Sequence, residues 1–106
     1  MSKKILFIIF LSITLLGFSQ EKTIDNVFAA PNPFTNSTTI NFTASNISTV
    51  NFSVRNVLGK TVLKKNIWVT FGKNTIAFYK NDLPSGIYIY SIQDKKKIIS
   101  KRFIIK

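Results

Sequence analysis

Thr39-Ile40-Asn41-Phe42-Thr43-Ala44 and Val50-Asn51-Phe52-Ser53-Val54-Arg55 alternate apolar and polar residues with a period of two. Successive side chains of a strand point to opposite faces, so Ile40, Phe42, Ala44, Val50, Phe52 and Val54 are expected to face a core. Asn41, Thr43, Asn51, Ser53 and Arg55 then face water. Working outward from this pair, an opening strand is expected near Ile24 to Ala30, and others over Thr61 to Ile67, Asn74 to Lys80, Ile87 to Ile92 and Lys97 to Lys106. Ile76 and Phe78 share one face of the fifth. Ile87 to Ile92 is apolar on both sides, the pattern of a strand covered on both faces.

Turn signals fall between these runs. Pro31-Asn32-Pro33 removes two ladder donors and marks a corner after the opening strand. Asn56-Val57-Leu58-Gly59-Lys60 reads as a short hairpin loop in which Gly59 supplies a positive φ. Phe71 to Asn74 and Asp94 to Lys97 read as further turns, and Leu83-Pro84-Ser85-Gly86 has the proline and glycine placement of a type I turn. Seven short strands at intervals of about 8 to 12 residues, with no helical period, predict an all-β protein: a seven-stranded antiparallel immunoglobulin-like β-sandwich.

The N-terminus reads differently. Lys3 and Lys4 precede an apolar run from Ile5 to Leu16, and Gly17-Phe18-Ser19 places small residues where a signal peptidase cuts. The run is too short to span a bilayer, which takes about 20 apolar residues. A cleaved signal peptide is therefore expected over residues 1–19, a short linker over 20–26 and a single domain over 27–106. Residues 20–106 suffice for one small domain, of which only about 60 to 65% of the unfolded surface becomes buried. Exported domains of this size often carry disulfides, but there is no cysteine, so packing of Ile, Val and Phe must hold the fold.

Fifteen basic residues face four acids, for a formal charge of +11, or +9 once Lys3 and Lys4 leave with the signal peptide. Such a surface attracts polyanions. Nucleic acid is not expected as a partner, since the protein is exported and its lysines are scattered over strands and turns. Catalysis is not expected either. The chain has neither His nor Cys, and the acids Glu21, Asp25, Asp82 and Asp94 have no calcium-loop spacing and form no local carboxylate pair. No metal or cofactor is expected, and the domain is read as a monomer.

Four motifs carry a resemblance. Pro31-Asn32-Pro33-Phe34 after an opening strand, Val54-x-Asn56-x-Leu58-Gly59-Lys60-x-Val62, Leu83-x-x-Gly86-Ile87-Tyr88 and the ending Lys101-Arg102-Phe103-Ile104-Ile105-Lys106 occur in this order. Together they resemble the type A C-terminal sorting domain of the type IX (Por) secretion system of Bacteroidetes, over about Val27 to Lys106. The resemblance implies a non-catalytic secretion address recognised by an outer-membrane translocon, later removed by a sortase-like cysteine peptidase, with contact to lipopolysaccharide. It also implies passage through the periplasm to the outer-membrane surface or the medium. Only Gln20 to Asn26 separates the domain from the signal peptide, so almost no cargo is expected.

The residues that the resemblance singles out, for recognition or for the fold, are Pro31, Asn32, Pro33, Gly59, Gly86, Tyr88, Lys101, Arg102 and Lys106. Gly59 and Gly86 are expected at turns and Tyr88 in the core, while Lys101, Arg102 and Lys106 are expected on a solvated face of the last strand, whose edge offers a receptor strand pairing and charge. Two other readings fit the same composition: a small secreted immunoglobulin-like binding module, and an envelope polyanion binder whose affinity falls with salt.

Overall fold

The computed structural model describes residues 23–106. The expected signal peptide and the first residues of the expected linker lie outside the described residues. Seven strands follow one another: β1 Ile24–Ala30, β2 Ser37–Ala44, β3 Ser48–Asn56, β4 Thr61–Val69, β5 Gly72–Tyr79, β6 Gly86–Gln93 and β7 Ile98–Ile105. No helix occurs among the described residues. The strands form two sheets, β1-β2-β5 and β4-β3-β6-β7, and every neighbouring pair is antiparallel.

The alternation at Ile40–Ala44 and Val50–Val54 works as the sequence predicts. Ile40, Phe42 and Ala44 of one sheet and Val50, Phe52 and Val54 of the other are buried in one shared core. Ile24 and Val27 of β1 and Ile76 and Phe78 of β5 complete the first sheet's contribution; Val69, Tyr88, Tyr90, Ile92, Phe103 and Ile105 complete the second's. Each such side chain contributes about 1.5–3 kcal/mol on burial, which is how an 84-residue fold without disulfides holds together.

Phe103 sits where the two sheets meet. Its ring lies 5.0 Å from Phe78 of the opposite sheet, 5.3 Å from Tyr90, on which it stacks, and 5.2 Å from Phe34, which meets it edge-on. Edge-to-face and offset rings add roughly 0.5–1.5 kcal/mol per pair beyond area burial.

Three local expectations are corrected. The strand read as covered on both faces, β6, is covered on one: Tyr88, Tyr90 and Ile92 are buried, but Ile87 is 43% exposed and Ile89 half-buried. It is central because β3 and β7 flank it, and that lateral position, rather than a second layer, protects its backbone. The hydrogen-bonded turn between β5 and β6 is Lys80–Leu83, where the Leu83 N–H donates to the Lys80 carbonyl at 3.0 Å and Asn81 takes φ +50°. Asn tolerates that left-handed conformation, and the turn forms ahead of Pro84 rather than around it. Finally, Lys101 lies opposite Tyr90 and shares the inward register of Phe103 and Ile105, while Arg102 is on the outer face. An inward lysine at a sheet edge stays wet because the facing sheet does not cover it.

Candidate functional site: a clasp on the last strand

Antiparallel pairing fixes which ends of the molecule lie together. Gly86 pairs with Ile105, Tyr88 with Phe103 and Asn56 with Tyr88. The β1–β2, β3–β4 and β5–β6 connections therefore share one end of the fold with Lys106. The β6–β7 turn lies at the other end with Thr23, whose hydroxyl donates to the Asp94 carboxylate and whose carbonyl accepts the Ser45 N–H. Pro31, Asn32, Pro33, Gly59, Gly86 and Tyr88 all gather at the C-terminal end.

The hairpin containing Gly59 is built as expected. Gly59 has φ +86° and donates its N–H to the Asn56 carbonyl, and the Asn56 side-chain oxygen accepts the N–H groups of Leu58 and Lys60 at 3.0 Å. Gly86, at φ +151°, opens β6 opposite Ile105. The Tyr88 hydroxyl donates to the Pro84 carbonyl at 2.7 Å, which gives its buried ring a satisfied polar tip.

The corner at Pro31–Phe34 does more than turn the chain. β7 is an edge strand, and its outward backbone groups have no strand partner. Four of them are taken by the corner. The Asn32 side-chain oxygen accepts the Ile104 N–H at 3.0 Å, and its nitrogen donates to the Arg102 carbonyl at 3.4 Å. Phe34 donates its N–H to the Ile104 carbonyl at 3.0 Å and accepts the Lys106 N–H at 2.8 Å, a short parallel bridge beside Ile105. Phe34 itself is 2% exposed and drops its ring between Phe78 and Phe103. The Thr38 hydroxyl holds the corner from beneath, donating to the Pro31 carbonyl at 2.6 Å.

The clasp changes how β7 is available. A receptor strand cannot pair along 102–106, because Asn32 and Phe34 already occupy that edge. The terminal cations also divide: Arg102, Ile104 and Lys106 share the outer face, while Lys101 belongs to the inward register. The sequence reading groups Lys101, Arg102 and Lys106 through the terminal motif of the resemblance, and singles out neither Phe34 nor Arg55 as a site residue. The apolar residue after Pro-Asn-Pro was the available signal for Phe34. No period or spacing announces a side-chain bond to a strand 70 residues away.

At the far end Asp94 caps its turn by accepting the N–H groups of Lys96 and Lys97, each at 2.8 Å. Partial burial pushes its carboxyl pKa up, but the Thr23 hydroxyl, the two backbone N–H groups and the Lys97 charge outweigh this and hold it below the usual value.

Among curated proteins none matches the chain. Of solved structures, a β-glucosidase from Erythrobacter marinus is similar over 78% of this chain at 10% identity and a TM-score of 0.46, and the chain spans 15% of that enzyme's length. At that level the likeness carries no functional weight. The family model described as the secretion system C-terminal sorting domain matches residues 28–106, from within β1 to the last residue. That stretch includes the clasp, the Gly59 hairpin and the terminal strand, and the match over it shows that the chain belongs to the family of type IX secretion C-terminal sorting domains.

Proposed function

We propose that residues 27–106 are a non-catalytic address, an immunoglobulin-like sandwich read by the type IX outer-membrane translocon after a signal peptide over 1–19 has taken the chain across the inner membrane. Family membership implies engagement with the type IX machinery and export to the outer membrane or beyond. The strand order supports the immunoglobulin-like reading. It groups the first, second and fifth strands against the third, sixth and seventh, as such domains do, with the fourth moved across to lie beside the third.

The observation that carries the proposal is the clasp. A segment near the start of the domain fastens its last residues to the fold, so the C-terminus is presented in one fixed conformation rather than as a frayed tail. A surface that must be read at a chain end has to be held in this way. A sortase-like peptidase then acts on the delivered chain, lipopolysaccharide is the contact at the cell surface, and the domain works as a monomer without metal or cofactor.

The test is a fusion of residues 27–106 behind a signal peptide and a folded reporter. The reporter should reach the medium or outer surface of a bacterium with a type IX system and stay periplasmic in one without it. Retention of this fusion in a host where another sorting domain exports the same reporter would overturn the reading.

A further inference from the structure

The outer face of the four-stranded sheet carries a small apolar island ringed by cations, and strand register alone defines it. Arg55 of β3 lies opposite Ile89 of β6, and Ile89 opposite Arg102 of β7. One row across the sheet therefore reads Arg, Ile, Arg, with the two arginines about 10 Å apart at ordinary strand spacing. The next row pairs Ile87 with Ile104, and Lys106 follows on the same face. Ile87 and Ile104 are 43% and 39% exposed. On the other side of the arginine row Ser53, Ser91 and Ser100 lie abreast, with Lys64 of β4 beyond Ser53 and the Ser91 and Ser100 hydroxyls 2.7 Å apart.

No charge on that sheet answers these cations. The described acids are Asp25 on β1, Asp82 in the β5–β6 connection and Asp94 in the β6–β7 turn, and none lies on a strand of the four-stranded sheet. Three isoleucines on a water-facing sheet add nothing to the core, and an exposed apolar cluster with arginine at its margin has the composition of an interface centre. The edge of β7 does not compete for this role. With 102–106 occupied by the clasp, its open backbone groups are confined to Ile98, Ser100 and the Arg102 N–H, toward the end of the strand away from Ile87 and Ile104.

We propose that this face is the docking surface of the domain, and that its partner is an acidic, ordered protein surface. Two carboxylates of that surface meet Arg55 and Arg102 around apolar contact with Ile87, Ile89 and Ile104. This deepens the sorting reading and rests on it. The choice of protein over lipid follows from the fixed spacing and from the residue type: a guanidinium fork pairs a carboxylate bidentately at a defined separation, whereas a membrane surface accepts any cation at any spacing. Arg55 is the informative member. It stands 47 positions before Arg102, outside the terminal motif, and only the folded sheet brings the two into one row.

The experiment uses the 106-residue chain ending at Lys106, expressed in a bacterium with a type IX system, with periplasmic and external fractions measured by antibody. Arg55→Gln and Arg55→Lys should each lower export tenfold or more, and Ile87→Ser should do the same. Lys73→Gln, on β5 of the three-stranded sheet, should export within twofold of the wild type. Thermal midpoints of the purified domains check that each variant is folded, and should Arg55→Gln prove unfolded, Ile87→Ser and Arg55→Lys carry the test. Wild-type retention in the periplasm would sink the sorting reading and this inference with it. Normal export of folded Arg55→Gln and Ile87→Ser alongside an exported wild type would overturn the inference alone. Full export of Arg55→Lys, together with equal binding of both forms to phosphatidylglycerol vesicles, would make the partner an anionic lipid surface and also overturn it.

Discussion

The side-chain oxygen of Asn32 accepts the backbone N–H of Ile104 at 3.0 Å, joining positions 72 apart in sequence. This bond and the Phe34 bridge give the last strand a second neighbour along half its length. Removing the amide with Asn32→Ala should cost about 1 kcal/mol, the usual net value of an exposed hydrogen bond, and lower the thermal midpoint by about 4–8 °C. The Ile104 amide should exchange faster with solvent, which hydrogen exchange reads directly. Unchanged protection at Ile104 would mean that the clasp does not hold in solution.

Phe34→Ala is expected to be far more severe. The ring is 2% exposed and contacts Phe78 and Phe103 from both sheets, so truncation should cost about 3–5 kcal/mol. Small domains have about 5–15 kcal/mol in total. Urea midpoints should therefore fall by a third or more.

Gly86→Ala and Gly86→Val should both destabilise, by about 1–3 kcal/mol. A Cβ at Gly86 meets nothing within 4 Å, so the cost comes from φ +151° rather than from a clash. The two variants should accordingly differ little in thermal midpoint. A much worse Val would point to crowding instead.

Asp94 makes stability depend on acid pH. Its folded pKa lies below the ordinary value of 3.8, so its contribution is fully present above that value and is lost as pH falls through the folded pKa. Urea midpoints of the wild type should drop below about pH 4, and Asp94→Ala should start about 1–2 kcal/mol lower at neutral pH and show a shallower fall. Thr23→Val should move the acid transition upward, since it removes one bond to the ionised form.

Much of this fold was legible because its signals are local. The alternation at Ile40–Ala44 and Val50–Val54 depends on nothing beyond the pleat, and Gly59 announced its own left-handed turn. Readings that needed a neighbour fared differently. Ile87 and Ile89 look like core residues in sequence, yet their face is open because the second layer lies on the other side of β6. Lys101, Arg102 and Lys106 look alike, yet one side-chain alternation separates Lys101 from the others. The corner at Pro31–Phe34 was readable as a turn, but its hold on β7 rests on side-chain to backbone bonds that leave no period to find.

The polypeptide enters the fold at Thr23 and leaves it at Lys106, at opposite ends of the strands. Tension applied between these two ends acts along β1 and β7 rather than across them. Each ladder is loaded in shear, with its hydrogen bonds sharing the force instead of opening one by one, and the Phe34 bridge adds a further rung beside Ile105. The domain is in this sense built as a tow coupling: pulled by its tail, it stretches before it unzips.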